Sequence, residues 1–347
     1  MTDAIYAKIA QFTLTSDISG REQAFAKRIA ERFAQSVPNA VNTAVHEGYV
    51  SAQLGNDPGK PNLLFCAHID VVGFLVTDIT ADGFLRIGPV GGIDRRLLLG
   101  QPVMIWGKKH IFGVISILPP HLMQGDQAVP EWGSLCVDTG YDSAEALSDK
   151  VSRGDAVTFC DNEQRLLGNR ISGAGLDNRA GAAAVMLAAE TLGQCGELPC
   201  NLTFAFSFQE ERSGRGAKLA AANLKPDIAI AVDTTFAMAH GEDPQECFPL
   251  GSGAAIGISP VLSKALSDRL IRTAQQHEIP WTAEIMTSTT GTDADALALA
   301  PGGCAAGTVS IPIRNMHTPV EVLDLADVQS TVDLLVSFAK ECDAAWL

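Results

Sequence analysis

Four apolar runs, at 63–67, 202–208, 228–232 and 308–313, are each followed by residues that bind metal ions: His68, the pair Glu210 and Glu211, Asp233, and His317. Runs of this length and composition predict buried parallel strands, and in open α/β sheets ligands gather at the carboxyl ends of such strands. Each piece alone is ordinary. His68-Ile69-Asp70 is a common polar strand terminus, Glu210-Glu211 a common solvated helix start, and Asp233 a common turn cap. Random placement would scatter these residues, whereas here they close one apolar run after another. The pattern predicts an α/β fold, a mixed and mostly parallel sheet flanked by helices, with a metal site along one sheet edge.

Ligand chemistry divides the labour. Imidazole and carboxylate suit zinc, cobalt or manganese, and no thiolate stands among these positions. Two metals close together acidify water and stabilise an oxyanion, but they need a carboxylate with one oxygen for each ion. Asp177, in Gly175-Leu176-Asp177-Asn178-Arg179 ahead of a helix beginning near Ala180, is the candidate bridge. His68 and Asp233 then complete one metal, and Glu211 and His317 the other. Glu210 faces the bridging water as general base. Asp70 is expected to hydrogen-bond the second nitrogen of His68 and fix its tautomer.

The same residues sit in a longer series of motifs: Ala67-His68-Ile69-Asp70, Gly91-Gly92-Ile93-Asp94-Arg95, Leu99-Gly100-Gln101-Pro102-Val103, Pro119-Pro120-His121-Leu122, Leu176-Asp177-Asn178-Arg179-Ala180-Gly181, Gln209-Glu210-Glu211, Gly291-Thr292-Asp293-Ala294 and Ile311-Pro312-Ile313-Arg314-Asn315-Met316-His317-Thr318-Pro319-Val320-Glu321. This series resembles the M42 metallopeptidases, the glutamyl-aminopeptidase and tetrahedral-aminopeptidase group, nearly from end to end. The resemblance implies an aminopeptidase that removes N-terminal residues from short peptides with two divalent metals and a bridging hydroxide. It also implies a homo-oligomer, often a tetrahedral dodecamer. The chain departs from the family pattern at Val71, where Glu is usual, and at Arg212-Ser213-Gly214, changes that alter charge beside the site and bear on substrate preference. The runner-up is an M20-type carboxypeptidase or deacylase, which shares the His-x-Asp, Asp, Glu-Glu and late His but carries its extra domain after the Glu-Glu. A non-catalytic metal-binding relative would be expected to have lost a ligand or the base. A polysaccharide hydrolase would want an aromatic-lined cleft, and only 6% of residues are aromatic.

Composition sets the outer limits. The 347 residues suffice for two domains, and 46% hydrophobic with 19% charged residues supports a sizeable core. No stretch approaches ~18 uninterrupted apolar residues. The net charge of −15 argues against nucleic acid or anionic membrane as a partner. The start of the chain lacks a basic segment followed by an apolar one, so a cytoplasmic location is expected. The eight cysteines lie far apart and are expected to be free, largely buried thiols.

Along the chain, Ser19-Gly20-Arg21-Glu22 has the form of a capping box before an amphipathic helix to about Gln35, with Ala24, Phe25, Ile29 and Phe33 on one face. Between 76 and 158 short alternating runs separated by Gly, Pro and Asp predict a small inserted β-barrel-like domain for oligomerisation, leaving 1–75 and 159–347 as the catalytic domain. Within the insertion a long loop at 119–134 is a candidate functional segment. Further helices are expected near 180–192, 262–276 and 325–342. Thr292-Asp293 is expected to cap a short helix, and Arg215 is open to a supporting or a surface role.

Overall fold

The computed structural model describes residues 2–12, 17–116, 129–160, 163–241, 243 and 246–343. His121 and Met123, and with them most of the 119–134 loop, lie outside the described residues; of that loop, Trp132–Ser134 form a single 3-10 turn.

The architecture is α/β. Strands Asn201–Ser207, Asn62–His68, Ile228–Phe236 and Ala305–Arg314 lie side by side in that order, and every pair among these neighbours is parallel. Registers such as Ser207 opposite His68 and Asp233 opposite Ser310 bring the polar ends together. Antiparallel strands flank this block, Tyr49–Leu54 and Val41–Val45 on one side, Glu321–Asp324, Arg170–Gly173 and Gln164–Arg165 on the other. Ala254–Ile258 pairs antiparallel with Ala305–Arg314 and carries Trp281–Ile285 parallel to itself, which makes a short branch.

Successive side chains alternate between the two faces of a strand, and this sheet uses both. Leu63, Phe65 and Ala67 join the larger core beneath helices Gln23–Ser36, Leu176–Leu192 and Leu325–Glu341. Leu64 and Cys66 join the smaller core beneath helices Arg215–Leu224 and Asp293–Leu297. His68 continues this second series and lines a cavity on that face. Helix Leu176–Leu192 is rich in alanine because it lies close against the sheet. At Gly181 an added Cβ would fall 2.1 Å from Asn178 Oδ1 and 2.9 Å from the Val232 carbonyl, too close for any side chain.

The helix Gln23–Ser36 forms as its apolar spacing predicts, but its entry differs from a capping box. Glu22 occupies the N-cap position without a side-chain cap, and the Ser19 hydroxyl is buried without a hydrogen-bond partner. Ser19 is instead drawn into a backbone pairing with Val71, its N–H donating to the Val71 carbonyl at 3.2 Å. The buried face is Phe25, Ala26, Ile29 and Phe33, while Ala24, one position and about 100° away, is exposed. The later helices span Lys264–Gln276, capped by Ser263, and Leu325–Glu341, capped by Asp324.

Six antiparallel strands, Gly73–Ile79, Leu85–Val90, Cys136–Asp138, His110–Ser116, Pro102–Trp106 and Ala156–Phe159, close into a barrel with its own core around Phe74, Ile105, Val137 and Val157. Closure removes free sheet edges from this small unit. No helix among the described residues is long and apolar enough to cross a membrane.

Candidate dinuclear metal centre

Each candidate residue is delivered by a different local device. His68 is the last residue of its strand, and Asp233 lies inside the strand Ile228–Phe236 rather than beyond it. Glu210 and Glu211 open the short helix Glu210–Ser213 after Gln209, which is left-handed at φ 59°. His317 stands past the end of Ala305–Arg314, also at positive φ, 62°. Such conformations are uncommon for residues other than glycine and need outside support. Asp177 precedes the regular part of its helix at φ −80°, ψ 108°. The next residue anchors this loop: the Asn178 amide donates to the Val232 carbonyl at 2.8 Å, and its oxygen accepts the Gly181 N–H at 3.0 Å.

These devices bring the five residues into two groups that share Asp177. His68, Asp177 and Asp233 form one, and Asp177, Glu211 and His317 the other, with one potential ligand atom per residue mutually within 4.8 Å. His68 Nε2 stands 3.5 Å from Asp177 Oδ1 and 3.4 Å from Asp233 Oδ1. His317 Nε2 stands 3.4 Å from Asp177 Oδ2 and 3.3 Å from Glu211 Oε2. Thus the two oxygens of Asp177 face different imidazoles. Charged hydrogen bonds are shorter, about 2.7–2.9 Å. Two atoms each about 2.1 Å from a tetrahedral ion stand about 3.4 Å apart, which is the spacing seen here. Asp177 Oδ1 and Glu211 Oε1 are moreover buried without a hydrogen-bond partner. The donor set and its orphaned oxygens therefore fit a pair of divalent ions.

The electrostatics agree with a site built around positive charge. Burial alone would raise the Asp177 carboxyl, but the His317 and His68 imidazoles hold it well below the ordinary range. Burial raises Asp233 and Glu211. Glu210 is pushed up to about 10 by burial, with Asp233, Asp293 and Glu211 adding like-charge repulsion against the pull of His68. Burial works against charge on the histidines too, yet the facing carboxylates raise His68 well above its ordinary value and His317 to about 11.

Supporting residues hold these groups in place. His68 Nδ1–H donates to the backbone carbonyl of Asp70, at 3.1 Å, and not to its carboxylate, which lies 3.7 Å away. That carboxylate accepts the N–H groups of Glu210 and Glu211 at 3.0 and 3.2 Å, because a left-handed turn leaves these donors exposed inside the protein. Glu22 accepts the Gln209 N–H at 3.0 Å, fixing the start of the same turn. Glu321, 1% exposed, accepts the His317 N–H at 2.7 Å and the Asp177 N–H at 3.2 Å, and burial pushes its carboxyl well above the usual range. Thr292 caps its helix as expected, but Asp293 turns inward. There it accepts from the Ser207 hydroxyl behind Glu210, and burial raises it to about 7. Asp293 and Glu321 fall within motifs of the family resemblance, but the sequence alone assigns these roles neither to them nor to Glu22. Arg215 pairs with Glu47 at the surface, and His240 is exposed outside the cavity.

The centre opens into a cavity of about 730 Å³. Its walls include Thr235, Phe236, Glu284, Asp295, Leu299 and Met316 besides the candidate ligands and Glu210.

A family model described as M42 glutamyl aminopeptidase matches residues 48–334. The chain is 33% identical over 288 residues to a lysyl aminopeptidase of Pyrococcus furiosus, covering 81% of this chain and 82% of that protein. Over 77% of each chain it is 29% identical to a glutamyl aminopeptidase of Lactococcus lactis. Among solved structures, an aminopeptidase from Desulfurococcus kamchatkensis superposes with a TM-score of 0.92 at 31% identity, covering 99% of this chain and 97% of that one. The TET1 peptidase of Pyrococcus horikoshii gives 0.84 at 33%, covering 97% and 99%. The M20-type alternative falls with this match. The chain belongs to the M42 glutamyl aminopeptidase family and is a metal-dependent aminopeptidase.

Proposed function

We propose that the protein releases N-terminal residues from short peptides, with His68, Asp177 and Asp233 holding one divalent ion and Asp177, Glu211 and His317 a second. The observation that carries this reading is the pair of Asp177 oxygens, each directed at a different histidine. When bound, the two ions supply Lewis-acid polarisation of the scissile carbonyl and acidify the attacking water.

The chain's own residues do the rest. Glu210 lines the cavity beside both groups, with its backbone fixed by Asp70, and its carboxylate takes the proton of the attacking water and returns it to the leaving amine. Two of the like charges that raise Glu210, Asp233 and Glu211, belong to candidate ligands, whose charge bound cations would offset. Asp70 is a positioning residue: through its carbonyl it orients His68, and through its carboxylate it fixes the neighbouring Glu210 and Glu211.

Imidazole and carboxylate donors favour zinc or cobalt, with manganese also accommodated. The thiol of Cys66 faces Asp293 and adds no soft donor. We place the protein in the cytoplasm, since all eight cysteines are free, as a reducing compartment keeps them. We assign the barrel an oligomer-forming role. Its outer surface exposes Phe112 and Val114, and the similar TET1 peptidase is described as assembling into a tetrahedron or an octahedral shell.

The deciding experiment is chelation of the purified protein, re-addition of zinc, cobalt or manganese singly, and measurement of amino-acid release from a panel of aminoacyl chromogenic substrates. Activity lost with the metal and restored by it is expected. Unaltered release after complete metal removal would overturn the reading.

A further inference from the structure

The carboxylates lining the cavity have different employments. Asp177, Glu211 and Asp233 make the two histidine groups, and Glu210 is the base. Asp295 is spent on the wall itself, accepting from the Thr290 N–H, the Thr290 hydroxyl and the Gly291 N–H. Glu284 has no such task. It lies near the end of strand Trp281–Ile285, and the Ser310 hydroxyl donates to its Oε2 at 2.7 Å, with the Thr235 hydroxyl as a second partner. Among the described residues no Lys, Arg or His pairs with it.

Apolar side chains line the same cavity as this carboxylate. Phe236 and Leu299 are 56% and 79% exposed there, and Met316 and Ala296 line the cavity too. Large apolar groups left in water at a cavity wall gain by covering an aliphatic chain. A wall that is apolar along its length and anionic at one point matches a side chain of several methylenes ending in a cation. Basic groups also line the cavity, Arg212 and Lys218, but both are exposed, and Lys218 already donates to the Ser213 carbonyl at 2.8 Å. Solvent screens such exposed charges, whereas a half-buried carboxylate fixed by hydroxyls discriminates more strongly.

We infer that Glu284 is the residue that reads the side chain of the substrate's first residue, and that it selects lysine and arginine. The inference rests on the aminopeptidase reading and names the substrate class of that same site. An entering ammonium or guanidinium meets an anion already oriented by Ser310 and Thr235, while its methylenes cover Phe236 and Leu299. A neutral side chain of equal length gains only the second contact, and a carboxylate meets repulsion.

The test uses the metal-loaded enzyme and Glu284→Gln with lysyl, arginyl, norleucyl, alanyl and glutamyl chromogenic derivatives. Norleucine keeps the lysine stem and lacks the cation, so the wild-type lysyl-to-norleucyl ratio of kcat/KM isolates the charge and should exceed about tenfold. In Glu284→Gln the lysyl-to-alanyl ratio should fall about 10- to 100-fold, the loss of one charge-assisted contact. Inhibition of the wild-type enzyme by free lysine against free norleucine gives the same comparison without a variant, and lysine should bind about tenfold more tightly. Alanyl hydrolysis with no lysyl preference, or with a ratio untouched by Glu284→Gln, overturns this inference alone. A preference for the glutamyl derivative also overturns it and points to Arg212 and Lys218. No hydrolysis of any derivative overturns the peptidase reading and this inference with it.

Discussion

Replacing Glu321 with Gln removes one of two bonds that hold the shared ligand and the late histidine in register. Its oxygens accept the N–H groups of His317 and Asp177 at 2.7 and 3.2 Å, inside a region that water does not reach. Gln keeps one acceptor and turns an NH2 group toward the other N–H, so one donor is left buried and opposed. Leaving a buried donor unsatisfied costs about 1–3 kcal/mol, which corresponds to a roughly 5- to 150-fold weakening of whatever depends on that position. Groups that orient metal ligands act on affinity by a similar factor, about 10- to 100-fold. The loss should be uneven. Glu321 supports the backbone of His317 and Asp177, whereas His68 and Asp233 are held by their own strands. Titrating the metal-free protein with zinc against a chromogenic chelator should therefore show a larger loss at the His317-containing site than at the other. Circular dichroism checks that the fold is kept. Wild-type affinity at both sites, or a loss confined to the His68 site, would refute this account of Glu321.

Glu210→Gln should retain both ions while kcat falls about 10²- to 10⁴-fold, because the carboxyl is needed for proton transfer and not for binding; metal analysis beside single-turnover kinetics checks both halves. Arg179→Met strips the partner from Asp17, a pair 2.6 Å apart with both side chains buried, and should cost about 3–5 kcal/mol in urea-induced unfolding; an unchanged midpoint would count against the pairing. Burial raises the Asp327 carboxyl from its ordinary 3.8 to about 6, while it accepts the Gly251 and Gly253 N–H groups. Its neutral form is therefore favoured by folding, so its contribution is complete below about pH 4 and is lost as pH rises through about 6. Asp327→Asn should flatten the dependence of unfolding free energy on pH across that window, and a slope identical to wild type would dismiss the assignment.

Much of the site was legible because the candidate ligands stand where apolar periodicity stops, a property that spacing reveals without coordinates. Asp177 was identifiable as the shared group from its place in a loop opening a helix. The bonds of the supporting layer were not legible, since they join distant segments. Glu22 reaches Gln209 across 187 residues, Glu321 reaches Asp177 across 144, and Ser207 reaches Asp293 across 86. Glu22 also fits a local pattern, the capping box, that tertiary demand overrides: its carboxylate satisfies a strained turn at the site and Ser19 pairs elsewhere. Asp70 was legible as a residue but not as an atom, because sequence does not say whether a carbonyl or a carboxylate meets the imidazole.

The short segment at 17–19 ties the root of the barrel to the Asp177 loop. Ile18 bridges to Val71, the Val71 N–H donates to the Asp17 carbonyl, and the Asp17 carboxylate grips Arg179 just beyond Asp177. Deuterium can enter the Val71 and Ser19 amides only when this stitching opens, so their exchange rates report the integrity of the catalytic loop from outside the cavity. Two backbone protons thus serve as a native gauge of whether the loop is seated, readable without substrate or metal.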